Sequence, residues 1–132
     1  MTASGMRRVV AIIPDLFFAT KVSATARAGG VALELAPPQH AAEQVRLSPP
    51  ALVLIDLHAP GAVALVAALK LAAPGVPVVG FYSHVETALR RDALAAGADA
   101  ALPRSQFVHK LPGLLASGIA ALREPAPGGS AP

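Results

Sequence analysis

The chain has 132 residues, 54% of them hydrophobic and 14% charged, with 11 basic and 8 acidic side chains giving a net charge of +3, and no cysteine. That length holds one domain with a well-filled core. The missing cysteines exclude disulfides, thiolate metal centres, haem attachment and a cysteine nucleophile, and suit a reducing cytoplasm. Arg7, Arg8, Arg27, Arg46, Arg90, Arg91, Arg104 and Arg123 form no long run and have no aromatics between them, so no nucleic-acid partner is expected.

In chain order, residues 1–7 read as a loose lead-in. Arg7-Arg8 before the apolar residues 9–13 imitates a signal peptide, but Pro14-Asp15 ends that run far short of a leader or a membrane span. No membrane partner is expected, and residues 8–13 read as a first strand. Residues 16–28 carry Phe18, Val22 and Ala26 at helical spacing and stop at Gly29-Gly30. Residues 31–35 form a short strand, Pro37-Pro38 breaks the chain, a modest helix covers 39–46, and Ser48-Pro49-Pro50 breaks it again.

Residues 51–55 are apolar without interruption, and Asp56 follows. An unbroken apolar run fits a strand covered on both faces, as in a parallel sheet between helices. An unpaired carboxylate is too costly inside such a strand, so Asp56 belongs where the strand leaves the core. Residues 61–72 place Ala62, Leu65, Val66 and Leu69 on one helical face, and Pro74-Gly75 turns the chain into a strand over 76–82. Val85, Leu89 and Ala93 mark a fourth helix capped by Gly97, and residues 98–102 are the last strand. Phe107, Leu111, Leu114, Leu115 and Leu122 set out a final helix in which Pro112 predicts a break near Lys110. Residues 123–132 have almost nothing to bury and read as a disordered tail.

Five strands alternating with five helices through short connections predict an α/β, flavodoxin-like doubly wound sandwich, with a parallel sheet in order 2-1-3-4-5 over residues 8–122. In that order the ends of the first, third, fourth and fifth strands converge on one edge, where ligands gather. The edge carries Asp15, Asp56, Tyr82 with Ser83, and Arg104. Two carboxylates there suit a hard divalent cation such as magnesium, a hydroxyl suits a phosphoryl oxygen, and a cation neutralises it. Asp15 is equally suited to capping the helix that follows it.

Asp56-Leu57-His58-Ala59-Pro60-Gly61, Gly97-Ala98-Asp99 before the last strand, and the order of elements together resemble the receiver domains of two-component response regulators, the CheY-like family. The resemblance implies that Asp56 is the phosphoacceptor, that Ser83 and Arg104 contact the phosphoryl group, and that Asp15 and Asp56 hold Mg2+. The departures are specific. The family's acidic pair falls on Pro14-Asp15, its switch hydroxyl on Tyr82, its lysine on Arg104 and its switch aromatic on Ala101. Losing one acid weakens magnesium binding, and losing the switch pair removes the usual coupling, so the resemblance is to a degenerate, or pseudo-receiver, domain.

Asp56-x-His58-x-x-Gly61 is also similar to the cobalamin-binding signature, but it follows the third strand and the family's later motifs are missing. A cofactor binder of cobalamin or flavin type is therefore a third and lesser reading, and His58 reads as a solvent-facing loop residue. His40 and His109 stand alone, and no serine, histidine and acid are spaced for a nucleophilic triad. The reading that follows is a non-enzymatic, stand-alone signalling module in a bacterial cytoplasm. It would act through a histidine kinase, a downstream protein or a homodimer face, with Arg90, Arg91 and Lys110 as candidate surface cations. A phosphoryl-transfer intermediate with Mg-dependent phosphorylation at Asp56 is the alternative.

Overall fold

The computed structural model describes residues 7–83 and 87–123; the lead-in up to residue 6, residues 84–86 with His84 and Val85, and residues 124–132 lie outside the described residues, while Arg123, expected to begin the disordered tail, ends the last helix. The elements are β1 (Arg8–Ile12), α1 (Leu16–Ala28), β2 (Ala32–Leu35), α2 (Pro38–Leu47), β3 (Leu52–Asp56), α3 (Ala62–Ala72), β4 (Val78–Tyr82), α4 (Thr87–Ala95), β5 (Ala100–Pro103), α5 (Arg104–Ser117) and a short α6 (Ala120–Arg123). All five strands are parallel, in the order β2-β1-β3-β4-β5, which is the doubly wound arrangement expected from the sequence.

Alternate side chains of the sheet feed two cores. Val10, Ile12, Val53, Ile55, Val78 and Tyr82 pack with residues of α2, α3 and α4, while Val9, Ala11, Leu52, Leu54, Val79 and Phe81 pack with residues of α1 and α5. Every residue of β3 and β4 is buried, which accounts for their unbroken apolar sequence. Phe18, Phe81 and Phe107 meet beneath α1 and α5. Phe81 stacks on Phe107 with centroids 4.5 Å apart, and Phe18 meets Phe81 edge-on at 5.0 Å. Such pairs contribute about 0.5–1.5 kcal/mol each beyond the area they bury.

The final helix corrects the sequence reading, because α5 runs through Pro112 without a break near Lys110. Pro112 faces solvent, so water can satisfy the carbonyl it leaves without an amide partner. On the opposite side Phe107, Leu111, Leu114 and Leu115 are at most 2% exposed and bind both halves of the helix to the sheet. Arg7, assigned to the lead-in, is in fact anchored: its Nε donates to the Leu115 carbonyl at 3.0 Å, and its guanidinium lies where a Cβ on Gly118 would fall.

At the amino-terminal edge of the sheet, Asp99 Oδ2 accepts from the Val78 amide at 2.8 Å and from Lys70 Nζ at 3.0 Å. Lys70 also donates to the Val76 carbonyl at 3.0 Å. The Gly97-Ala98-Asp99 motif therefore clamps the starts of β4 and β5, at the end of the sheet opposite Asp56.

Candidate functional site

Asp56 is the last residue of β3 and is 7% exposed. Its Oδ1 accepts from the His58 amide at 2.9 Å, a local bond that turns the chain out of the strand. The next residue, Leu57, donates to the Phe81 carbonyl at 2.9 Å and folds its side chain back over β4. That fold-back requires Gly80, since a Cβ there would lie 2.8 Å from Leu57 side-chain carbons. His58 is exposed, as expected, but it is not merely solvent-facing. Its Nε2 accepts from the Ser83 amide at 2.9 Å, which ties the loop after β3 to the end of β4. In a neutral ring that bond assigns the proton to Nδ1. Nothing local in the sequence signals this contact across 25 positions.

Asp15 serves as the N-cap of α1. Its Oδ1 accepts from the Phe17 amide at 3.0 Å and the Phe18 amide at 3.3 Å, so the capping alternative is realised. Its Oδ2 faces Arg104 Nη2 at 4.0 Å, an ion pair at the limit of contact and without a hydrogen bond. Arg104 lies over the Phe18 ring, 4.2 Å from its centroid. Its Nε is shielded from solvent and has no hydrogen-bond partner among the described residues. The side chain is thus held by an aromatic face and a distant carboxylate, and it makes no ion pair within 4.0 Å of Asp56. Ser83 and Arg104 do come together, on the wall of one groove beside α1.

The fold is shared with known structures. The receiver domain protein (CheY-like) of Methanospirillum hungatei superposes with a TM-score of 0.72 at 17% identity, over 86% of this chain and 96% of that one. The receiver domain of NtrX from Brucella abortus gives 0.71 at 20% identity, over 89% and 99%. A response regulator from Thermotoga maritima gives 0.67 at 17% identity, over 82% and 98%. The chain has the receiver fold. No protein-family model and no curated protein matches it, so the likeness is one of three-dimensional form.

The sequence-predicted site residues lie at the expected strand ends, where Asp15 caps α1 and Arg104 rests on Phe18. A resident divalent ion is the group such a fold implies, and the donors here do not fit it. Among the described residues no three His, Asp, Glu or Cys side chains converge closely enough to hold an ion. Pro14 offers no carboxylate, and Asp15 already serves two amides and faces a guanidinium. Asp56 retains one uncommitted oxygen, since no hydrogen bond from the described residues reaches its Oδ2.

The positions on which the resemblance puts a switch pair are both buried, Tyr82 at 6% and Ala101 at 4% exposure, and they belong to the same core cluster. Gly80 pairs with Ala101 and Tyr82 with Pro103, so Tyr82 is a diagonal neighbour of Ala101 across the two strands. The ring that the resemblance expects on β5 is thus carried by β4, beside a small residue on β5.

Proposed function

We propose that this protein is a divergent receiver module of two-component signalling that works by contact with a protein partner and in which Asp56 is a poor phosphoacceptor. The observation that carries the reading is the isolation of Asp56. The carboxylate expected to share an ion with it caps α1, the position before that is proline, and the cation at the end of β5 rests on Phe18. A phosphoryl group on Asp56 would bring about two negative charges to a nearly buried edge with little to neutralise them. Tyr82, packed in the core, offers no small hydroxyl that could follow the phosphoryl group. We place the module in a bacterial cytoplasm, with a kinase-like or downstream protein as its partner or a second copy of itself. The related receiver of NtrC4 was solved as a beryllofluoride-activated dimer.

The test is incubation with acetyl phosphate and magnesium followed by intact mass. The expected result is no magnesium-dependent phosphoryl adduct. One observation favours a second reading, the phosphoryl-transfer intermediate: Asp56 Oδ2 is uncommitted and therefore able to attack. A stoichiometric, magnesium-dependent adduct that disappears in Asp56→Ala would establish that reading instead.

A further inference from the structure

Lys70 is the one polar residue of α3, and it serves the interior: its Nζ donates to the Val76 carbonyl at 3.0 Å and to Asp99 Oδ2 at 3.0 Å. The side of α3 turned away from the sheet is therefore wholly apolar. Ala64, Ala68 and Leu71 follow one another there at helical spacing with Ala67 beside them; Ala64 is exposed and Leu71 is 84% exposed. A helix that is apolar on every side is ordinarily covered on every side. Here α2 and α4 pack on its flanks and the sheet lies beneath it, but among the described residues the outer strip is left open. The charges beside the strip have a self-complementary order. On α2, Glu43 and Arg46 lie away from the buried Ala41 and Val45, and on α4, Arg91 and Asp92 lie away from the buried Ala93. All four of these side chains are more than half exposed.

We infer that the open strip of α3 is covered by a second copy of this chain, in a two-fold dimer that packs α3 on α3. Because all strands are parallel, α2, α3 and α4 return in one direction and are parallel to one another. A two-fold axis along α3 then lays α2 of one copy over α4 of the other. Glu43 and Arg91 each stand four residues before the end of their helices, at similar height, so the axis brings each Glu43 to an Arg91 across the interface and each Arg46 close to an Asp92. The charges select the occupant: an acidic or a basic partner would find one member of each flank opposed, whereas a second copy meets all of them with the opposite sign. Three helices about 16 Å long and about 10 Å apart present roughly 500 Å² each way, so the pair buries roughly 1,000 Å² in total, the lower bound of a specific interface. The dimer is accordingly weak, with a Kd on the order of 100 µM. It leaves β5 and α5 uncovered, and it takes from the reading above only the second copy as a partner, with no part for Asp56.

The experiment is sedimentation velocity of the full chain from about 10 µM to about 1 mM, with neither phosphodonor nor magnesium present, so that its outcome is separate from the chemistry of Asp56. A monomer–dimer equilibrium is expected across that range. Leu71→Glu changes a side chain that the monomer leaves in water, so the fold is kept, and it should weaken the dimer at least about tenfold by burying a charge in the strip. Phe17→Ser removes an apolar side chain that is 92% exposed on the other face of the sheet, and should leave the equilibrium unchanged. Arg91→Glu and Glu43→Arg should each weaken association by roughly threefold to tenfold, and the two together should restore it, since every charge again meets its opposite. A chain that stays monomeric to about 1 mM would overturn the inference. So would a dimer indifferent to Leu71→Glu, one abolished by Phe17→Ser, or a double charge reversal that fails to recover what the single reversals lose.

Discussion

Asp15→Ala separates a capping carboxylate from a metal-binding one. The substitution removes the acceptor of the Phe17 amide at 3.0 Å and the Phe18 amide at 3.3 Å, together with the carboxylate 4.0 Å from Arg104. Loss of a carboxylate N-cap costs about 1 kcal/mol, within a range of about 0.5–2. The ion pair adds at most a few tenths of a kcal/mol, because both side chains are more than a third exposed and the contact is long. A total near 1 kcal/mol lowers the melting temperature of a domain of this size by about 3–6 °C. Asp15→Asn keeps the acceptor and should recover most of that loss, since asparagine caps as well as aspartate. Were Asp15 a magnesium ligand, the ion at about ten times its Kd would stabilise the wild type by about 1.4 kcal/mol. Thermal unfolding of the three proteins with and without magnesium decides the matter. The reasoning fails if Asp15→Ala is as stable as wild type, if Asn is as damaging as Ala, or if magnesium raises the wild-type midpoint by several degrees and the Ala variant's not at all.

Gly80→Ala should destabilise the fold by about 1–3 kcal/mol in urea unfolding, because the new methyl meets Leu57 at 2.8 Å in a closed part of the core. Asp99→Ala leaves the Val78 amide without its acceptor and should cost about 1–3 kcal/mol. His58→Ala should lower stability by only about 0.5–1.5 kcal/mol while selectively accelerating hydrogen exchange at the Ser83 amide, so unchanged exchange there would contradict the link between the loops. The Arg46 guanidinium donates to both Glu43 oxygens and, by those bonds and its charge, holds the Glu43 carboxyl below its ordinary value. Stability from that pair is present above the ordinary carboxylate value and is lost as pH falls through the depressed one. The pair is exposed and screened, so Glu43→Gln should leave the melting temperature at physiological salt unchanged.

The fold was legible because β1, β3 and β4 are largely apolar runs and glycine or proline punctuates the connections, and because burial of β3 leaves a charge nowhere to sit but at the strand's end. The span of α1 follows from Phe18, Val22 and Ala26 and a Gly29-Gly30 stop, and the structure reproduces residues 16–28. Pro112 predicts a break by local propensity, but burial of Phe107, Leu111, Leu114 and Leu115 on the opposite side outweighs it and keeps α5 continuous. The site was legible in position but not in employment. A carboxylate after the first strand serves equally as a ligand or as a cap, and only the placement of the Phe17 and Phe18 amides chooses between them. The His58 bond and the Phe18–Arg104 stack join segments distant in the chain that no periodicity connects. Gly97-Ala98-Asp99 signals the fold and not the chemistry, since Asp99 works at the far edge.

The tie between Arg7 and the Leu115 carbonyl brings the beginning of β1 and the last turn of α5 side by side, at the edge of the sheet away from Asp56. A tether, affinity handle or fluorophore joined before residue 7 or after residue 123 is therefore attached on the rear of the molecule. Immobilising the protein on a sensor chip through a group placed at this junction would leave the strand tips turned toward the flowing analyte.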